Sequence, residues 1–151
     1  MTIYAILRLV HVVVAVLGTG TIAALAIVAR GARRHAGSPQ ASAVAGPQAA
    51  SLGPLPALAT WASASLAVML ATGIWIDLEM HGIYHVALWF RASAIGLVVT
   101  GALLGILRRQ LAGARRGTLA LDQALARIAG LAVAASLLVL VIVVLMELRP
   151  T

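Results

Sequence analysis

Four long apolar segments, separated by stretches that are polar or rich in small residues, dominate the pattern of this 151-residue chain. They lie near residues 3–28, 55–76, 86–107 and 128–146. Each is about as long as the roughly 20 residues that an α-helix needs to cross a hydrocarbon core about 30 Å thick. The pattern predicts an all-α protein, a four-helix transmembrane bundle that forms a single integral membrane domain over residues 1–151.

Composition supports the membrane assignment and narrows the chemistry. Hydrophobic residues make up 62% of the chain and charged residues 10%, with a mean hydropathy of +1.05. A soluble domain of this size could not bury so much apolar surface. Cysteine is absent, which excludes a disulfide framework, iron–sulfur ligation and a thiol nucleophile. Redox chemistry would therefore require a bound cofactor, with the lipid bilayer as the surrounding medium.

The distribution of arginine predicts the orientation. All 11 basic side chains are arginines, against four acidic residues. Most of them lie in the links that follow spans one and three, which the positive-inside rule places in the cytoplasm. We therefore expect an up-down-up-down bundle in a bacterial cytoplasmic (inner) membrane, with both termini on the outer, periplasmic side. Arginines at helix ends, without interleaved aromatics, do not indicate nucleic-acid binding. The link arginines are Arg30, Arg33, Arg34, Arg108, Arg109, Arg115, Arg116 and Arg127.

The links and the small residues indicate how the helices connect and pack. The link 29–54 is rich in Ala, Ser, Gly and Pro, with breakers at 38–39, 46–47 and 53–54, and is predicted to be a flexible tether. In the second link, Asp122 is placed to cap helix four. Small residues recur at helical spacing, which predicts close helix packing or faces on which other membrane subunits dock. They are Ala59, Ser63, Ala67 and Ala71 in span two, Gly101 and Gly105 in span three, and Ala132 and Ser136 in span four.

The shortest gap between spans holds a polar cluster that could bind a metal ion. Asp77, Glu79 and His81 alternate, so an extended loop would turn all three the same way. His81 and His85 would share a helix face if helix three began early enough. These nitrogen and oxygen donors suit zinc or copper(II), and Met80 adds a soft donor for copper(I). The alternative is a loop that is polar only because it is solvated.

One face of helix one carries ionisable residues into the apolar layer. Arg8, His11, Ala15 and Gly18 are three or four residues apart, so they share a face that we expect to point into the bundle. His11 lies about 12 Å along the helix from Ile3. An ionisable residue at that depth indicates a functional site. The alternative is a neutral histidine bonded to a neighbouring serine, threonine or carbonyl.

Arg91 is a second ionisable residue predicted to lie inside a span. It falls about one and a half turns into span three, where an unpaired arginine costs about 2.5–3.5 kcal/mol on insertion scales. Glu147 is the expected partner, with Arg8 in competition for it. Alternatively, Arg8 or Arg91 meets the carboxylates of a bound porphyrin, because a guanidinium fork matches carboxylate geometry.

Three short motifs carry a resemblance to a known family. Leu7-Arg-Leu-Val-His11-Val, Trp89 with a basic residue early in span three, and the ending Leu145-Met-Glu-Leu-Arg-Pro150 resemble small four-span bacterial proteins related to the copper-resistance D family. They are also similar to the four-helix membrane type of protoporphyrinogen oxidase. The resemblance implies a heme or metal ligand at His11 and makes Arg91 the counterpart of a lysine. Arginine replaces lysine in both places where the family has it, and the histidine beside that lysine is missing, so oxidase activity is not implied.

Two functions follow as hypotheses. In the first, the protein binds heme b, or alternatively copper, in the outer half of the bundle for electron transfer or heme handling. His11 is then the first ligand, His85 the candidate second ligand, and Arg8 the partner of a propionate. In the second, the protein is a non-catalytic accessory subunit of a larger membrane complex.

Overall fold

The computed structural model describes residues 3–36 and 52–148, and within them the side chains of 35, 36 and 147 are not described. These residues form four α-helices: α1 (Ile3–Ala36), α2 (Leu55–Glu79), α3 (Leu88–Arg115) and α4 (Leu121–Leu148). Each contains a stretch long and apolar enough to cross a membrane. The all-α, four-helix, multi-pass membrane prediction is confirmed.

The helices form a ring in which each one packs against two others. α1 packs against α2 and α4, and α3 packs against α4 and, least extensively, against α2. Neighbours along the chain run in opposite directions, since His11 of α1 contacts Thr72 of α2 and Gly18 lies beside Ser65. We call the end with the α2–α3 turn the aromatic end, and the end with the α3–α4 turn the arginine-rich end.

The distribution of apolar side chains is that of a protein surrounded by lipid. Large hydrophobic residues point outward along the spans, for example Val16 at 67% exposure and Ile27 at 71%. Buried hydroxyl groups are bonded to their own helix: Ser93 donates to the Trp89 carbonyl and Thr100 to the Gly96 carbonyl. Such internal pairing is what a hydrocarbon environment requires, because no water is present to satisfy a polar group.

Several helix boundaries differ from the sequence prediction. α1 continues to Ala36, so the predicted tether does not begin at residue 29. Near the other end of the predicted tether, Leu52 is buried. The predicted breakers at 38–39 and 46–47 lie outside the described residues. α3 begins at Leu88, and Asp122 lies inside the first turn of α4 instead of capping it. Hydropathy marks the apolar stretch of each span and not the ends of the helix. α1, α2 and α4 therefore extend beyond their predicted spans, whereas α3 begins two residues later than predicted and ends beyond its span.

The turns that end α2 and α3 share one hydrogen-bond pattern. In the α2 turn, the Gly82 N–H donates to the Asp77 carbonyl and the His81 N–H to the Leu78 carbonyl. In the α3 turn, Thr118 and Gly117 make the equivalent bonds to Gly113 and Ala114. This is the Schellman motif, which places one residue in the left-handed region. Gly117 fills that position in α3, and His81, at φ 57°, fills it in α2.

The predicted small-residue packing is found on only some helices. Ala59 and Ala132 are buried between helices, as expected. Ala67 and Ala71 of α2 and Gly105 of α3 are exposed, and no atom of another helix lies within 4 Å of the position that a Cβ on Gly105 would take. The stripes of α2 and α3 bring the two helices together at Gly101, where an added Cβ would lie 3.3 Å from Cδ2 of Leu66, but not at Gly105.

Candidate functional site

His11 makes a hydrogen bond that links α1 to α2. Its Nδ1 lies 2.8 Å from Oγ1 of Thr72, and within the described residues no other side-chain hydrogen bond joins two helices. The ring also lies beside Gly73, where an added Cβ would make ordinary van der Waals contact with its Cε1 atom at 3.4 Å.

The protonation of His11 is coupled to the hydrogen bond that Thr72 makes. The Thr72 hydroxyl lies 2.8 Å from the Val68 carbonyl and 3.1 Å from the Met69 carbonyl. When its single hydrogen is donated to one of these carbonyls, the hydroxyl can only accept from His11. In that arrangement Nδ1 carries the proton, and Nε2 keeps the lone pair with which an imidazole binds a metal.

His11 lines a cavity at the aromatic end of the bundle. The cavity has a volume of about 330 Å³. Tyr4, Arg8 and His11 of α1 line one side; of the face predicted from the sequence, Arg8 and His11 reach this cavity. Its other lining residues are Val12, Gly73, Ile76, Tyr84, Trp89, Phe90 and Met146.

A smaller cavity of about 110 Å³ adjoins the first and reaches deeper into the bundle. The two share His11, Gly73, Phe90 and Met146, so the histidine stands at their junction. The deeper cavity adds Met69 and Leu97, which are almost fully buried. Arg8 lines the first cavity, whereas the deeper cavity is lined mainly by apolar residues.

Aromatic rings form part of the cavity wall. The rings of Tyr84 and Trp89 meet edge to face with centroids 5.8 Å apart, and Trp89 meets Phe90 in the same way at 5.9 Å. This arrangement is favourable for aromatic pairs and fixes ring orientation. The turn between α2 and α3 is thereby packed onto the start of α3.

Asp77 organises that turn, and the extended loop predicted for it is wrong. Asp77 and Glu79 belong to the last turn of α2, so they do not alternate with His81 along a strand. The buried carboxylate of Asp77 accepts hydrogen bonds through Oδ1 from the backbone N–H groups of Tyr84 (2.9 Å) and His85 (3.1 Å). Its Oδ2 lies 3.6 Å from Nδ1 of His85, which is 60% exposed.

The proposed metal donors are not gathered into one group. His81 and His85 do not share a helix face, because α3 begins only at Leu88. Glu79 is exposed and accepts a 3.3 Å hydrogen bond from Nε1 of Trp75, while Met80 caps α2. Among the described residues, no group of three or more His, Asp or Glu side chains could hold a metal ion.

Arg91 lies less deep than its sequence position predicted. It is in the first turn of α3 and exposed, and its Nε donates to the His85 carbonyl at 2.7 Å. It lines neither cavity. The pairing with Glu147 involves a side chain outside the described part of the structure, so it stays a prediction.

Two residues of the site were not identified from the sequence, Thr72 and Met146. The helical rise places Thr72 about 10 Å from the end of α2, close to the depth of His11 in α1. Matching depths in an antiparallel helix pair could have indicated this contact. Met146 carried no signal, because a methionine in an apolar span is ordinary core composition.

Comparisons of the chain with known protein families, with curated proteins and with solved structures find no match.

Proposed function

We propose that the protein is a heme b-binding protein of the bacterial cytoplasmic membrane, with His11 as the axial ligand. In this proposal both arginine-rich links face the cytoplasm, both termini face the periplasm, and the cavity opens in the outer half of the bilayer. The asymmetry of the arginines supports the orientation. The resemblance to the copper-resistance D and protoporphyrinogen oxidase proteins supports a heme ligand at His11.

The observation that carries the proposal is the position of the His11 ring at the junction of two cavities, with its Nδ1 bonded to Thr72. The bond alone is also what the alternative, a histidine paired with a neighbouring threonine, predicted. Histidines that bind metals almost always donate their other ring N–H to a partner, which fixes the tautomer and the ring orientation. Here that partner is in place, and the ring lies where two cavities meet.

The chemistry of the lining supports a porphyrin, of which the two cavities would enclose only part. The wall is apolar and aromatic, and its 330 Å³ lies at the lower end of the range of about 300–1,000 Å³ typical of small-molecule sites. Arg8 lies one turn from His11 toward the aromatic end and lines the opening, where its guanidinium would meet a propionate. Met146 supplies a thioether, which together with histidine forms a known axial ligand pair for heme.

Bound heme would supply one-electron chemistry, and this chain's residues would set its properties. Thr72 holds the His11 ring, and the apolar deeper cavity keeps water from that side. Arg8 places one positive charge at the opening. These features would serve electron transfer or heme handling, neither of which needs a separate substrate-binding group.

An absorption spectrum of the purified full-length protein tests the proposal, with and without added hemin. We expect a Soret band that shifts on reduction, and its loss in His11→Ala. His85→Ala tests the second ligand that the sequence predicted: that histidine is exposed and lines neither cavity, so we expect the spectrum of this variant to stay unchanged and to serve as the control. Helical content and elution volume should be unchanged in both variants. Unchanged heme content and spectrum in His11→Ala would refute heme ligation by this residue.

An accessory subunit without a cofactor is the second candidate function. The observation in its favour is that Gly20 and Gly130 are exposed and have open space above them, which would let another transmembrane helix approach closely. A colourless protein that binds no hemin and co-purifies with a stoichiometric membrane partner would support this function instead.

A further inference from the structure

A third cavity opens between α2 and α3, from the middle of the bundle toward the arginine-rich end, and it meets the deeper His11 cavity only at Leu70 and Leu97. It is a groove of about 310 Å³, lined by Ser63, Leu66 and Ala67 on α2 and by Gly101, Gly105 and Arg108 on α3, with leucines on its floor. It follows from the limited contact between these two helices, because small side chains on both sides leave space unfilled. The Ser63 hydroxyl donates to the Ala59 carbonyl at 2.8 Å, so it offers no free donor to the groove.

The groove spans one leaflet of a bilayer. It extends along α3 from Leu97 to Arg108, which the helical rise makes about 16 Å. Half of a hydrocarbon core is about 15 Å. Another transmembrane helix would need a surface across the whole core, whereas a lipid acyl chain needs only this length.

A positive charge stands at the headgroup end of the groove. Arg108 lies about 30 Å along α3 from Leu88, which is one full hydrocarbon thickness. Its guanidinium is exposed and makes no ion pair with any described residue. Arg109 and Arg115 add positive charge at the same end, and among the described residues Asp122 is the only acidic one at that end.

We propose that this groove binds one anionic glycerophospholipid from the leaflet at the arginine-rich end. An acyl chain lies along the floor between α2 and α3, and the headgroup phosphate pairs with Arg108. Basic sites between transmembrane helices recognise anionic lipids in this way, each arginine near the surface contributing about 1 kcal/mol. The acyl chain fills the groove that α2 and α3 leave between them.

Native mass spectrometry of the detergent-purified full chain tests the headgroup contact. The protein is titrated with dioleoyl phosphatidylglycerol and with dioleoyl phosphatidylcholine, which carry the same acyl chains. We expect Arg108→Gln to weaken phosphatidylglycerol binding about fivefold, toward the value for phosphatidylcholine. Arg109→Gln is the matched control, since it removes the same charge one residue away and does not line the groove. Equal losses in both variants would show a diffuse surface attraction and overturn the proposal.

A second pair of variants tests the acyl-chain contact independently of charge. Gly105→Leu fills the groove, and Gly130→Leu makes the same change on α4; neither position has an atom of another helix within 4 Å of an added Cβ. We expect Gly105→Leu to weaken binding of both lipids and Gly130→Leu to weaken neither. Unchanged lipid binding in Gly105→Leu would refute the site. A wild-type dimer that Gly105→Leu dissociates would assign the groove to a second copy of this chain instead.

Discussion

At the scale of single residues, the contact between His11 and Thr72 has two roles, because it pairs a polar group inside the bilayer and orients an imidazole. Interhelical hydrogen bonds in membrane proteins average about 0.6 kcal/mol and reach about 1.7 kcal/mol. The stability effect is therefore modest. The effect on ligand binding is expected to be larger, since the partner of a ligating histidine changes metal affinity about 10–100-fold.

Thr72→Val tests both roles at once, because valine keeps the shape and removes the hydroxyl. We expect a loss of about 1 kcal/mol in detergent stability and at least a tenfold weaker retention of heme. Thr60→Val is the control: Thr60 is exposed on the same helix and makes the same bond to the carbonyl four residues earlier. Heme titration and thermal unfolding would measure the two effects separately.

Asp77 is predicted to act through the backbone of the α2–α3 turn and not through a metal. Asp77→Ala leaves the N–H groups of Tyr84 and His85 without their acceptor. Hydrogen bonds to a charged group contribute about 1.5–3 kcal/mol, so we expect stability to fall by at least that amount. Glu79→Ala, at an exposed residue, should change unfolding little. A stability loss in Asp77→Ala that appears only in the presence of zinc or copper would instead indicate metal binding.

At the scale of helices, the α3–α4 contact and the α2–α3 contact differ in how closely the two helix backbones approach each other. On α3, a Cβ at Gly96 would lie 2.8 Å from Cδ1 and 2.9 Å from Cγ1 of Ile142 on α4. Ile142 is only 1% exposed, so it has little room to move. The α3–α4 contact therefore depends on glycine at position 96, whereas the α2–α3 contact leaves a groove.

Gly96→Ala should destabilise the bundle by about 1–3 kcal/mol, the usual effect of overpacking a core. Gly130→Ala is the matched control on α4, where no atom of another helix lies near the added methyl group. There we expect no loss, and up to about 1 kcal/mol of gain from helix propensity. Thermal unfolding in a fixed detergent would measure both. Equal stability of the two variants would contradict the close α3–α4 packing.

The sequence predicted the number and location of the helices because length and hydropathy are local properties. It predicted an inward face for Arg8, His11, Ala15 and Gly18, of which Gly18 is buried, His11 and Ala15 are partly buried and Arg8 is exposed. It did not predict the α2–α3 turn, where Asp77 remains helical and a hydrogen-bond pattern places His81 in a left-handed conformation. Nor could it predict Thr72 or Met146, because their roles depend on which helices are neighbours.

At the scale of the whole molecule, the charged ends of the bundle define its expected orientation. The α2–α3 turn carries Asp77 and Glu79, while the α3–α4 link carries arginines. Ala120 and Ile83 are exposed and uncharged, one in each turn. These two positions allow the orientation to be measured without changing the charge that determines it.

The chain has no cysteine, so single-cysteine variants can be labelled selectively. We expect Ile83→Cys to react with an impermeant thiol reagent in intact cells, and Ala120→Cys to react only after permeabilisation. The positive-inside rule is the reason for both outcomes. Labelling of Ala120→Cys in intact cells, with protection of Ile83→Cys, would reverse the orientation.

The contact between α1 and α4 has a consequence for how the protein is made. His11 lies on the first helix to be synthesised, and Met146, which shares both of its cavities, lies on the fourth. At about 5–20 residues per second, translation of the intervening chain takes on the order of ten seconds. During that time the cavities lack Met146, the α4 residue that lines both, so the site is complete only after translation has passed the fourth span. A chain truncated before α4 is therefore expected to bind the proposed cofactor more weakly than the full chain.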